Sequence, residues 1–160
     1  MATLNLPNDP RTLVWRVIRA ALEADATLAS SGIVLVFLDH TSDAIRSPST
    51  QGRPCLRFIP TTSAQAWFDE RSKSGRLVVL VEVFLEDIDL EDLMNVQGAI
   101  EKAIESNTSS SRRAALKAAG ATDGLLIFDN PLAMFFGREG EDFKVRARGS
   151  FSIAVQTIGD

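Results

Sequence analysis

The stretch "RLVVLVEVFL", residues 76–85, decides the fold of this chain. Successive side chains of a β-strand point to opposite faces, so the apolar odd-numbered positions from Leu77 to Leu85 would share one face. The other face is nearly as apolar, and Glu82 is the exception in it. A strand that is apolar on both faces is typical of the centre of a sheet. We therefore predict a central strand that is covered on both sides.

The segment that follows this strand predicts a helix. Residues 86–106 read "EDIDLEDLMNVQGAIEKAIES", in which Leu93, Val96, Ile100 and Ile104 recur at helical spacing. Carboxylates in the first turn are favoured by the helix dipole. We expect the apolar stripe of this helix to pack against the odd-numbered positions of the preceding strand.

Weaker signals predict the remaining elements. Asp9 followed by Pro10 marks a helix start, and apolar spacing carries this first helix to about Ser30. Gly120 ends a short alanine-rich helix. Further strands are predicted at 33–38, at 55–59 before Pro60, at 124–128 and at 143–155. This order predicts an α+β fold, with a mostly antiparallel sheet of about five strands and two main helices packed on it.

Length and composition predict one domain. The chain has 160 residues, of which 45% are hydrophobic and 24% charged, as in ordinary globular proteins. We expect a single domain over residues 1–160 with surface loops at 39–54 and 60–75. A net charge of -4 argues against general nucleic-acid binding, and the lone Cys55 fits a reducing compartment. The sequence shows no leader and no apolar run near the ~20 residues of a membrane helix, so we expect a soluble intracellular protein with no membrane partner.

Signatures of catalysis are missing from the sequence. It contains no Gly-x-Ser-x-Gly nucleophile elbow and no Gly-x-x-x-x-Gly-Lys phosphate loop. Its one histidine, His40, lies in a predicted loop, where a plain surface histidine is far commoner than a catalytic one. One histidine and one distant cysteine do not make a zinc site. We predict that the chain is not an enzyme and holds no cofactor.

Residues 86–92, "EDIDLED", are an acidic segment with five carboxylates in seven residues. An EF-hand loop counted from Asp87 would need glycine at its sixth position and glutamate at its twelfth, where the sequence has Asp92 and Gly98. Three interpretations remain: a capped and solvated helix start, an interaction surface, or the metal site of a small metal-dependent enzyme. The interaction surface would use Asp87, Asp89, Glu91 and Asp92, and the metal site would use Glu82, Asp87 and Asp89.

Lys144, Arg146 and Arg148 form a cationic row, because they alternate with apolar residues in the predicted strand 143–155. The opposite face of this strand carries residues such as Phe151 that belong in the core. Charges on the outer face of a strand commonly blunt a sheet edge. The alternative is an acidic partner, either a phosphate backbone or an acidic protein surface. Three cations are too few to identify nucleic acid by themselves.

Residues 130–137, "NPLAMFFG", form an apolar segment in a predicted connection between two strands, where polar residues are expected. Its large apolar residues are Leu132, Met134, Phe135 and Phe136. These side chains either pack under the domain's own core or form an exposed patch that a partner covers. The sequence does not decide between the two.

The order of the pieces resembles that of a known family. The pieces are "GRLVVLVEVFLED" at 75–87, "DLEDLMNVQGAIEKAIES" at 89–106, "AALKAAGATDG" at 114–124 and "ARGSFSIAVQT" at 147–157. Together with the N-terminal helix they resemble the tail terminator (tail completion) proteins of long-tailed bacteriophages, over residues 10–158. The most specific parts are 76–105 and 147–157.

The resemblance implies a structural virion protein that caps the head-proximal end of a phage tail tube and joins the tail to the head or neck. The implied partners are further copies of the chain in a ring, typically a hexamer, the tail tube protein, and head-closure or neck proteins. The implied location is the tail or neck of the virion, and the host cytoplasm during assembly. Another phage neck or tail adaptor protein is the alternative.

A ring requires contacts in which one patch of a subunit meets a different patch of the next. We therefore expect the cationic row to face either the acidic segment of a neighbouring subunit or DNA in the channel of the ring. The apolar segment is a further candidate for the subunit interface.

Overall fold

The computed structural model describes residues 9–37, 55–62, 66–67, 73–85, 90–105, 109–139 and 142–157. For residues 129–139 and 142–147 it describes the course of the backbone. The helices in these residues are α1 (Pro10–Glu23), α2 (Ala26–Ser30), α3 (Leu90–Ile104) and α4 (Ser110–Ala118). The strands are β1 (Val34–Phe37), β2 (Cys55–Thr62), β3 (Ala66–Trp67), β4 (Lys73–Leu85), β5 (Ile127–Glu139) and β6 (Asp142–Thr157).

The strands form one mixed sheet in the order β1-β2-β4-β6-β5, and β3 pairs with β4 outside this path. All pairings are antiparallel except that of β1 with β2. The predicted α+β fold with a mostly antiparallel sheet is confirmed. A parallel pair requires a crossover connection, and the chain between β1 and β2 contains the predicted loop 39–54, which lies outside the described residues.

One hydrophobic core lies between the sheet and the helices. Its buried residues include the odd-numbered positions of β4 from Leu77 to Val83 and the apolar stripe of α3, as the sequence predicts. Helix α1 contacts β4, β6 and all three other helices, so it is the central element of the helical layer. At the β1 side of the sheet, the ring of Phe37 stacks on Phe58 at 5.4 Å between centroids and meets Trp15 of α1 at 6.0 Å.

The first helix is shorter than predicted. It begins as expected, because the Asp9 carboxylate accepts a hydrogen bond from the backbone N–H of Arg11 at 2.8 Å. It ends at Glu23, and the expectation of one helix to Ser30 is wrong. Asp25 takes an extended conformation and its carboxylate caps the separate helix α2 by accepting from Leu28 N at 2.9 Å. An aspartate favours such a cap over a helix interior.

Helix α4 ends before Gly120, as predicted, and this glycine has a φ of 115°. A Cβ at Gly120 would lie 2.9 Å from the Cβ of Pro10, so the end of α4 touches the start of α1. The chain after Gly120 then pairs with the end of β6, through Gln156 N to Gly120 O at 2.9 Å and Thr122 N to Ala154 O at 3.0 Å. These bonds fix α4 to the sheet.

Two predicted connections contain strand. Pro60 does not end β2, which runs to Thr62, and β4 begins at Lys73, so the predicted loop 60–75 is strand at both ends. Proline lacks an N–H, and it is tolerated here because the described part of β1 pairs with β2 only as far as Phe58. After Phe58, β2 has no described pairing with β1, so Pro60 does not have to donate a backbone N–H to that strand.

The apolar segment lies within strand β5, so its prediction as a connection between strands is wrong. Strand β5 runs from Ile127 to Glu139 and pairs with β6, in a register that places Phe135 opposite Arg146 and Phe136 opposite Val145. The apolar segment thus extends the sheet and does not connect two strands. The side chains of Leu132, Met134, Phe135 and Phe136 lie outside the description, so the choice between core and partner stays open.

None of the described helices has the length and apolar character that crossing a membrane would require.

Candidate interaction surface

The sheet has a second face, turned away from the four described helices. On β4, Leu80 belongs to this second face and is 42% exposed, whereas Val79 and Val81 on the other face are buried in the core. The prediction that β4 is covered on both sides fails at Leu80, whereas Glu82 on the same face of β4 is buried. Apolar alternation shows which residues share a face, and it does not show whether a layer covers that face.

The register of the sheet arranges the second face in three rows across the strands. One row joins Thr61, Val78, Ser152 and Ile127, and the next joins Ile59, Leu80 and Ser150. The third row joins Arg57 on β2, Glu82 on β4 and Arg148 on β6. The first two rows are mainly apolar or small, and the third is charged.

The charged row is a cross-strand ion-pair triad. The Nε atom of Arg57 lies 2.7 Å from Oε2 of Glu82, and the Nε atom of Arg148 lies 3.2 Å from Oε1 of the same carboxylate. The side chains of Arg57 and Glu82 are only 20% and 12% exposed, whereas that of Arg148 is 62% exposed. One carboxylate thus faces two guanidinium groups, and the triad carries a net positive charge toward solvent on the Arg148 side.

The sheet order excludes one interpretation of the cationic row, that of charges on an edge strand. Strand β6 lies between β4 and β5, so it is an interior strand and its cations do not blunt an edge. Arg148 has an acidic partner in its own chain, Glu82, which the sequence shows only as an interruption of an apolar strand. Arg57 was not predicted as a site residue, because its place beside Glu82 depends on the register between β2 and β4. The side chains of Lys144 and Arg146 lie outside the description.

Two large apolar side chains are exposed on the same face as the triad, Leu80 in the neighbouring row and Ile127 one row further away. Ile127 is 51% exposed and Leu80 is exposed as well, both on the second face. Ser152, which pairs with Ile127 in the same row, is fully buried. Exposed apolar area beside a partly exposed arginine is typical of protein–protein interfaces, where the apolar centre is ringed by polar groups.

The acidic segment is described only from Leu90 onward. Asp87 and Asp89 lie outside the described residues, whereas Glu91 and Asp92 lie exposed in the first turn of α3. Met94, three residues after Glu91 on the outer side of the same helix, is 57% exposed. The described part of the acidic segment is therefore the start of a solvent-facing helix surface with an apolar residue beside its carboxylates.

The metal site considered for Glu82, Asp87 and Asp89 stays untested, since two of these residues lie outside the described part. Glu82 itself has both carboxylate oxygens next to arginines. Within the residues that the structure describes, no three His, Cys, Asp or Glu side chains are grouped to hold a metal ion. His40 also lies outside them.

Cys55 at the start of β2 is buried, and this burial raises the pKa of its thiol. A buried neutral thiol is a poor nucleophile, and this environment suits a structural cysteine.

No protein-family model matches the chain, and no curated protein matches its sequence. Among solved structures, one chain whose name describes no activity is similar over 87% of this chain and 94% of its own length, with 16% identity and a TM-score of 0.43. A similarity of this degree carries no inference about function.

Proposed function

We propose that the chain is a structural virion protein that forms a ring, typically a hexamer, at the head-proximal end of a phage tail tube and joins the tail to the head or neck. The proposal rests on the resemblance in the order of elements. One observation supports it. The two stretches that carry the resemblance most specifically form β4 and β6, which pair along their length from Lys73–Thr157 to Leu85–Val145. They are thus the centre of one sheet, as a shared architecture would require.

The exposed second face agrees with a protein that works by contact. Leu80, Ile127 and Arg148 offer a surface to another protein. The proposed partners are further copies of the chain, the tail tube protein, head-closure or neck proteins, and the DNA that passes through the ring. The proposed location is the tail or neck of the virion, after assembly in the host cytoplasm.

The decisive experiment removes the gene from a phage that encodes this chain and supplies the protein in trans. We expect heads and tails to accumulate unjoined without the protein and to join when it returns. Electron microscopy of particles that carry a tagged chain should then show it in a ring at the head-proximal end of the tail. A chain found elsewhere in the neck or tail would favour the adaptor alternative, and normal particles without the chain would refute both.

The cationic row gives a finer test in the same system. Replacing Lys144, Arg146 and Arg148 with Ser should leave the melting temperature nearly unchanged, because exposed ion pairs contribute about 0–1 kcal/mol each. We expect fewer joined particles than with the wild type, and this difference should shrink as salt is raised, because salt screens the attraction that only the wild type retains. Arg148→Ser alone is the matched control, since it removes the contact to Glu82 and leaves the other two cations. A wild-type particle yield from the triple variant would exclude a role of the row in assembly.

A further inference from the structure

We propose that the second face of the sheet binds the outer face of helix α3 on another copy of this chain. Leu80, Ile127 and Arg148 of one copy would receive Met94 and Glu91 of the next. This contact deepens the proposed function, because it names the two surfaces through which neighbouring subunits of a ring would bind. The ring itself rests on the proposed function, whereas the contact between two copies does not.

We assign the contact to these two surfaces because they carry the exposed large apolar side chains of the described residues. Across the described residues, the exposed large hydrophobic side chains are Leu80, Ile127 and Met94. Leu80 and Ile127 lie on the second face, on β4 and β5 and in neighbouring rows, and Met94 lies on α3. Burial of such side chains is the main favourable term in association. The two surfaces therefore account for all three.

The charges of the two surfaces are complementary. The triad on the second face has two arginines for one carboxylate, and Arg148 is the exposed member. A guanidinium has five N–H donors, so the contact of Arg148 with Glu82 leaves donors for a second carboxylate. Glu91 supplies a carboxylate one helical turn from Met94. A second copy of the chain thus matches both the apolar and the charged part of the second face.

Gly98 gives α3 the shape that such a contact needs. It lies four residues after Met94 in the interior of α3, it is exposed, and a Cβ built on it meets no atom within 4 Å. A glycine inside a helix costs about 0.5–1 kcal/mol relative to alanine, and packing within the described chain does not require it. The missing side chain lets another backbone approach the helix closely beside Met94.

The two surfaces lie on opposite sides of the subunit. Helix α3 belongs to the layer that covers the first face of the sheet, and its exposed residues point away from the core. A contact between different surfaces is heterologous, so every copy joins one neighbour on each side and a series of copies closes into a ring or grows as a filament. A contact of the second face with itself would instead stop at a dimer.

A single contact of this kind is weak. Four strands about 4.8 Å apart and three rows two residues apart span about 14 Å by 14 Å, which is far below the about 800 Å² that each partner buries in a standard interface. Closure of the ring gives each copy a second contact. We therefore expect the purified protein to associate transiently, so the experiment has to capture short-lived pairs.

The experiment is thiol cross-linking of the purified full chain. One preparation carries Met94→Cys and a second, with a tag of different size, carries Leu80→Cys. They are mixed and treated with a short bismaleimide. The matched control replaces Leu80→Cys with Ala114→Cys, at an exposed position on α4. The wild-type chain, whose Cys55 is buried, measures the background.

We expect the 94–80 pair to cross-link roughly tenfold more than the 94–114 control, because binding raises the local thiol concentration to the millimolar range. Glu91→Gln in the Met94→Cys chain should lower the yield and weaken its dependence on salt. A yield at the control level overturns the proposal, and so does an 80–80 yield above the 94–80 yield, which would show sheet-to-sheet pairing. The cross-linking assay uses no phage particles. A negative cross-linking result therefore leaves the proposed function intact if electron microscopy finds the chain at the end of the tail. Conversely, if the chain is absent from particles but the 94–80 pair cross-links, the contact between copies is supported and the proposed function is refuted.

Discussion

The triad on the second face makes a quantitative prediction, because its two arginines contact one carboxylate from different environments. We consider two double-mutant cycles, one with Arg57→Met and Glu82→Gln, the other with Arg148→Met and Glu82→Gln. At an effective dielectric constant of about 20, unit charges at the Arg57–Glu82 distance attract by about 6 kcal/mol, and desolvation of both groups cancels most of this. We expect a net coupling of about 1.5–3 kcal/mol, in the upper part of the range for residues that share one salt-bridge network.

The Arg148 coupling should be much smaller although its distance is only 0.5 Å longer. The side chain of Arg148 is mostly in water, where the attraction at this distance is about 1 kcal/mol and the entropy of fixing the side chain opposes it. We expect a coupling of about 0–1 kcal/mol that disappears near 1 M salt, while the Arg57 coupling persists.

The assay is urea unfolding of the wild type, the three single variants and the two double variants, with the free energy of unfolding extrapolated to water. A coupling of Arg148 equal to or larger than that of Arg57 would refute the reasoning that burial, and not distance, sets the strength of each pair. Equal loss of both couplings in salt would refute it as well.

Three further predictions concern the core, the first helix and the cysteine. Ile100→Ala should lower the free energy of unfolding by about 2–5 kcal/mol, because Ile100 is buried in the core between α3 and the sheet. Met94→Ala on the outer side of α3 is the control and should change this free energy by less than about 0.5 kcal/mol. An unchanged melting temperature for Ile100→Ala would show that the apolar stripe of α3 is not part of the core. The side-chain hydrogen bond from Arg11 lowers the pKa of Asp9, so the charged cap stabilises the fold above the unfolded-state pKa of about 3.9 and loses this effect as the pH falls through the folded-state pKa. The stability difference between wild type and Asp9→Asn, followed by urea unfolding at a series of pH values, should therefore shrink in acid, and a constant difference would contradict it. The thiol of Cys55 should react with Ellman's reagent far more slowly in native protein than in denaturant, because its burial raises its pKa, and equal rates would show that β2 is open at its start.

The elements with strong local signals were predictable from the sequence, and their extents were not. Alternation in β4 and the apolar stripe of α3 reflect burial against a common core, which the structure shows. The break at Asp25 was missed because apolar spacing continues across it, while a capping hydrogen bond decides the helix end. Strand β5 was cut short at Phe128 because the residues after it were predicted to be a connection, while pairing with β6 continues the strand to Glu139.

The candidate surface was predictable only in part. Arg148 and Glu82 each stood out in their own strand, as a cation in an alternating run and as a charge in an apolar run. Their contact depends on strand order and register, which bring residues together across 66 positions of the sequence, and Arg57 adds a third strand. No local pattern contains this information. The interpretation of the cationic row as a solvated edge was excluded for the same reason, since the place of β6 in the sheet is a property of the whole topology.

The pairing of β4 with β6 also has a consequence for how the chain acquires its structure. Val79 pairs with Phe151, 72 residues later, and among the described strands β5 is joined to the rest of the sheet through β6. Contacts between such distant segments raise the contact order and slow folding. During synthesis β4 leaves the ribosome long before its partner, with one edge of an apolar strand unpaired and prone to aggregation. The most hydrophobic strand therefore stays exposed until the final strand is made, and scarce chaperones should lower the yield of folded protein.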